Sequence, residues 1–115
     1  MKKFTAIGVV LVATLVLGLP YFSRAEQWYV GGTLQDATVS QWQEASYENK
    51  LATAAIWVIM EPEVRKITQK SRTMSTVRPY AEELVGCIGS ISADHIGSAQ
   101  NVSSLAATCI ASLGW

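Results

Sequence analysis

The sequence predicts a small all-α fold, a bundle of about four helices in which one αα-hairpin is stapled by a disulfide. Three observations predict it. Apolar residues recur at helical spacing in three runs, from Tyr47 to Val58, from Tyr80 to Ile91 and from Val102 to Leu113, flanked by capping or helix-stopping residues. The chain holds two cysteines, Cys87 and Cys109, and both fall on such apolar stripes. The chain of 115 residues leaves room for one domain once a leader is set aside.

The leader is residues 1–25. Lys2 and Lys3 precede an apolar stretch from Phe4 to Leu19, Pro20 breaks it, and Ser23 and Ala25 are the small residues a signal peptidase requires. Cleavage is expected to leave Glu26 at the new terminus. The alternative is an inner-membrane anchor over residues 4–22, because that uncharged run reaches the roughly 17–25 residues that span a bilayer. Without residues 1–25, six Lys and Arg face nine Asp and Glu, a formal charge of 6 − 9 = −3. A nucleic-acid binder is expected to carry a basic excess, so that class is set aside. The remaining 115 − 25 = 90 residues bury little more than about 60% of their unfolded surface, and a covalent staple is useful in a domain of that size. An exported chain with two cysteines is read as one disulfide, Cys87 to Cys109. Their separation of 22 residues makes the loop-closure contribution about 3 kcal/mol.

Residues 26–37 are expected to form an extended N-terminal arm, with Gly31-Gly32 as a flexible joint and Trp28 and Tyr29 packed back on the domain. The helical domain spans residues 38–115. Thr38 with Gln41 makes a capping box, Ser46 can cap a second segment, and a bend is expected at Ala45-Ser46. From Tyr47 the stripe runs through Leu51, Ala54, Ala55 and Val58, with the two alanines small enough to admit a neighbouring helix. The end of this helix differs. Ile56 to Met60 is apolar on every side, so either it is the buried centre of the domain or part of it stays exposed for a partner. Trp57 and Met60 are the side chains that decide.

Pro62 suits the first turn of a new helix, with Glu63 favourable at its positive end. Between Arg65 and Arg78 lie five of the six cations that follow residue 25 and no acid. That segment is read first as a solvated helix face followed by a loop, with a basic patch for an anionic partner or lipid headgroups as the functional alternative. Ser75 or Thr76 is expected to cap the next helix, with Pro79 in its first turn and a stripe of Tyr80, Leu84, Cys87, Ile88 and Ile91. Gly86 and Gly89 are expected to let another backbone approach. Asn101 is expected to cap the last helix and Gly114 to stop it.

Catalytic chemistry needs a nucleophile, a base and an orienting group. His95 is the sole imidazole, two sulfurs and a distant histidine do not make a zinc site, and Gly31-Gly32 lacks the spacing of a phosphate loop. No enzyme activity, cofactor or metal is therefore expected. The run W-x-x-A-S-x-x-N-K-L-A-T-A from Trp42 to Ala54, the stretch RPYAEELVGCI from Arg78 to Ile88, and CIASLGW from Cys109 to Trp115 resemble a loose class of small exported bacterial helical proteins, mostly of unknown function. In size, helicity and single disulfide the chain is also similar to HdeA-type periplasmic acid-stress chaperones and to small periplasmic immunity proteins that neutralise toxins. The resemblance carries no functional residues. The reading is a non-catalytic periplasmic or secreted binding protein whose partner is another protein, with Trp57, Met60, Arg65, Lys66, Lys70 and Arg72 as the candidate partner surface. An acid-stress chaperone or an immunity protein is the alternative, and membrane contact is expected only through an uncleaved leader.

Overall fold

The computed structural model describes residues 27–115, so the expected leader and anchor segments lie outside the described residues. Five α-helices follow one another: α1 Val39–Glu44, α2 Tyr47–Ile59, α3 Pro62–Ser71, α4 Arg78–Ser92 and α5 Val102–Leu113. Short 3₁₀ turns at Met74–Thr76 and Ala93–His95 link α3 to α4 and close α4. The fold is small and all-α, with five helices because the bend at Ala45-Ser46 divides the first segment. Both bend residues are extended, at ψ 159° and 155°, so the α-helical hydrogen-bond ladder cannot run through them.

The caps around this bend form as their residue types dictate. Thr38 Oγ1 accepts from the Gln41 amide at 3.1 Å and Gln41 Oε1 accepts from the Thr38 amide at 2.9 Å, a complete capping box. Ser46 Oγ accepts from the Asn49 amide at 3.2 Å and starts α2. Pro62 opens α3 and Gly114, at φ 74°, ends α5. Two expected caps differ. Thr73, rather than Ser75 or Thr76, supplies the oxygen at the α3–α4 junction, because the chain first makes a 3₁₀ turn there. Asn101 makes no side-chain cap; instead it pairs with Thr38 as an isolated antiparallel bridge. The Val39 amide donates to Gln100 O at 2.8 Å and the Val102 amide to Ala37 O at 2.9 Å. The starts of α1 and α5 thereby satisfy one another's first free amides.

The core is one cluster. Helices α2 and α4 share the largest contact, Leu51, Ala54, Ala55 and Val58 lie buried in α2, and Ala81, Leu84 and Ile88 lie buried in α4. Trp42 of α1 is buried and stacks on Trp57 at 5.9 Å between centroids. Tyr47 departs from its expected place on the stripe and is half exposed, as the first residue of α2. Cys87 and Cys109 are bonded, with Cα atoms 5.9 Å apart, and tie α4 to α5. Trp115 folds back so that its indole meets Tyr80 edge-on at 5.3 Å and donates to Glu83 Oε1 at 3.1 Å. Contacts at both Cys87 and Tyr80 make α4 and α5 an antiparallel αα-hairpin.

The glycines divide differently from expectation. A Cβ on Gly86 or Gly89 would meet nothing within 4 Å, so neither serves a close helix approach. The close approach is at Gly32, where a Cβ would lie 2.5 Å from the Thr53 amide nitrogen and 2.7 Å from the Ala52 carbonyl carbon. The arm is therefore pressed onto α2, and Gly32 is a packing position rather than a joint. Gly31, at φ 90°, makes the left-handed turn that delivers it.

These contacts set opposite signs for two similar substitutions. Gly32→Ala should destabilise the domain by about 2–3 kcal/mol through overpacking, whereas Gly86→Ala in an exposed helix interior should stabilise it by about 0.5–1 kcal/mol. Urea unfolding of the two variants beside the parent chain checks both.

Candidate functional site

The expected partner surface is distributed along α2 and α3 by their join. Ile56 on α2 and Met60, one turn further at its C-cap, are 38% and 61% exposed and form an apolar edge where the helix ends. Trp57, between them in sequence, faces inward enough to stack on Trp42 and is half-buried. Only two residues, Met60 and Glu61, separate α2 from α3. Across them the Arg65 guanidinium donates to the Met60 carbonyl at 2.9 Å, so Arg65 is fixed beside the apolar edge. The same bond satisfies a carbonyl that the end of α2 would leave free.

Helix α3 buries one residue, Val64, and is otherwise turned to solvent. Lys66 stands 3.6 Å from Glu63 in an exposed ion pair, and Lys70 and Arg72 follow at its last turn. Ten residues at about 1.5 Å per residue place Arg72 about 15 Å along the axis from the start of α3. Met60 and Arg72 therefore belong to different ends of the helix. The structure gathers Met60, Ile56 and Arg65 at one end, with Lys66 beyond them, and carries Lys70 toward Arg72 at the other.

At that far end lies a cleft the sequence does not announce. Its volume is about 500 Å³, and Trp28, Tyr29, Arg72, Thr73, Met74, Ser75 and Arg78 line it. One wall is the arm, where Trp28 and Tyr29 meet edge-on at 5.6 Å and pack against the core. The other wall is the α3–α4 junction. Arg72 ends α3 in the left-handed conformation, φ 59°, with its amide donating to Thr68 O at 2.7 Å. Arg78 begins α4 and lays its guanidinium over the Trp28 ring at 5.4 Å, a cation–π contact that joins the walls. Its Nε lies 3.3 Å from Glu82 Oε2. Among the described residues, its two terminal nitrogens and the whole Arg72 guanidinium have no hydrogen-bond partner.

The arm holds its wall through α2. Thr33 donates its amide to Asn49 Oδ1 and receives Asn49 Nδ2 on its hydroxyl, both at 2.9 Å, while the Leu34 amide donates to the buried Thr53 hydroxyl at 3.2 Å. Thr53 in turn donates to Asn49 Oδ1 at 3.4 Å. The expectation that Trp28 and Tyr29 pack back on the domain agrees with this arrangement. Their meeting with Arg72 and Arg78 joins distant parts of the chain, and no local spacing signals it.

His95 ends the 3₁₀ turn after α4, and among the described residues its side chain hydrogen-bonds to nothing, Asp94 included. Among the described residues no group of three or more His, Cys, Asp or Glu is placed to hold a metal ion, and no helix is long and apolar enough to cross a membrane. Comparison with protein-family models, with curated proteins and with solved structures finds no match to this chain.

Asn49→Ala removes both bonds to Thr33 and the longer one from Thr53 at a partly exposed position, so global stability should fall by only about 1 kcal/mol. The arm should loosen far more than the helices. Faster amide exchange at Thr33 and Leu34, with α4 protection unchanged, is the expected result in native-state hydrogen exchange.

Proposed function

We propose that the chain is a non-catalytic binding protein of the periplasm or the extracellular space, acting on another protein through the α2–α3 corner. The observation that carries this reading is the exposed apolar edge of Ile56 and Met60 beside the fixed guanidinium of Arg65. Apolar side chains at a surface are common singly, but here two lie one turn apart with a positioned cation next to them. An apolar contact bordered by acidic groups is the complement of that surface. Lys66 and Lys70, on the solvent side of α3, add long-range attraction for the same acidic partner. Trp57 supports the edge from below through its stack on Trp42, so its truncation is expected to cost stability as well as affinity.

Export is part of this reading. A disulfide between α4 and α5 suits an oxidising compartment, and the N-terminal residues have the composition of a cleavable leader. The intact mass of the exported protein should correspond to a chain beginning at Glu26; a mass retaining residues 1–25 would favour the membrane-anchored alternative. The acid-stress chaperone is the rival reading: acid would neutralise the nine carboxylates that follow residue 25 and swing the formal charge from −3 to positive, which could loosen a small domain. Every described carboxylate lies at the surface, either exposed or, for Glu61, half exposed, so protonation would uncouple only surface contacts.

Met60→Glu tests the corner directly. A residue 61% exposed should accept the change with little effect on thermal stability. Retention of a stoichiometric partner from the envelope fraction at neutral pH should fall by about thirtyfold, the size of one hot-spot residue. Undiminished retention by a folded Met60→Glu variant would remove the α2–α3 corner from consideration.

A further inference from the structure

We infer that the cleft between the arm and the α3–α4 junction is a binding site for a small organic anion: a carboxylate, sulfate or phosphate group carried on a planar or apolar body. This inference concerns the end of α3 away from Met60 and stands apart from the protein-binding reading. Three observations converge on it. The volume, about 500 Å³, is that of a small-molecule site. Its charged lining is all cationic, Arg72 and Arg78, beside the neutral hydroxyls of Thr73 and Ser75. The wall facing them, on the arm, is aromatic, Trp28 and Tyr29.

The two arginines are held differently, and both arrangements suit an anion. Arg78 is pinned twice, by Glu82 at its Nε and by the Trp28 ring that its guanidinium carbon overlies. Pinning leaves the terminal nitrogens as an oriented pair of donors, the geometry that takes two oxygens of one carboxylate or phosphate. The Glu82 carboxylate offsets part of the charge but occupies only the Nε edge. Arg72 has no such partner among the described residues, and it stands at a backbone conformation that glycine adopts more easily. Its place in the lining brings a second positive charge to the same cleft. An inorganic anion would use these donors alone. The Trp28 and Tyr29 rings add a flat apolar wall, which favours an anion bearing a ring or similar planar body.

The test uses the purified exported protein and follows the Trp28 indole N–H resonance, assigned by its loss in Trp28→Phe. Phenyl phosphate is the probe, with inorganic phosphate, benzyl alcohol and phosphatidylglycerol vesicles as separate arms. Saturable shifts with phenyl phosphate, weaker binding of inorganic phosphate and none of benzyl alcohol are expected. Arg72→Gly should weaken phenyl phosphate by about tenfold or more, the worth of a charge-assisted contact, while thermal stability stays level or rises. That pairing separates loss of the site from loss of the fold. Arg78→Gln should weaken binding similarly. The inference is overturned by any of four results: no saturation below about 10 mM, an affinity too weak for a built site; equal binding of benzyl alcohol; wild-type affinity in Arg72→Gly; or a response confined to the vesicles, which would make the cleft a membrane-surface contact.

Discussion

The rest of the structure depends on the contact between Gly32 and the backbone of α2. Five consecutive residues, Leu51 to Ala55, are buried, which means that α2 is covered on more than one side. One side is covered by α4. The Ala52–Thr53 side is covered by the arm, and the arm can come that close only because residue 32 has no side chain. A helix buried around most of its girth is the centre of a domain, and here irregular chain supplies part of the enclosure. The backbone amides of that irregular chain need partners when they are pressed against a helix. Asn49 and Thr53, one turn apart, provide oxygens at the required places.

Two further features follow from the docked arm. Beyond Leu34 it leads Ala37 and Thr38 alongside Gln100 and Asn101, where the starts of α1 and α5 satisfy each other. The disulfide ties α5 to α4 at Cys109, so α5 is held by backbone hydrogen bonds at its start and covalently two turns further along. Before Gly31 the arm places Trp28 and Tyr29 against the α3–α4 junction, where Arg78 closes over the indole. A small domain has little apolar area to offset the ordering of an arm, and it uses several short-range tethers for the purpose.

Helix α3 occupies the other extreme. With Val64 as its one buried residue, it is fastened chiefly by its ends, through Pro62 and the Arg65–Met60 bond at one and the Thr73 turn at the other. A peripheral helix of this kind can carry Arg65, Lys66 and Lys70 without desolvating them. Those charges remain available for attraction, while the apolar edge beside them supplies contact area. The two candidate sites thus sit at opposite ends of the least buried helix, where surface chemistry costs the core least.

The sequence by itself determined the helices, because their signals are local. The Thr38–Gln41 box, the Ser46 cap, Pro62 at the head of α3 and Gly114 at the foot of α5 act within a turn of where they stand. Periodicity marked Leu51, Ala54, Ala55 and Val58 as the buried face of α2, and two cysteines on apolar stripes left one pairing. The candidate site was legible only in part: Met60 and the α3 cations stand out as apolar surplus and clustered charge, but their separation along α3 does not. Tertiary structure alone decided that Gly32 packs while Gly86 and Gly89 do not, that Asn101 pairs with Thr38 instead of capping, and that Trp28 meets Arg78. Each of these is a meeting of residues far apart in the chain. A glycine looks the same whether it faces solvent or another backbone, and an arginine looks the same whether it is solvated or lies over an indole, so only the packed arrangement tells them apart.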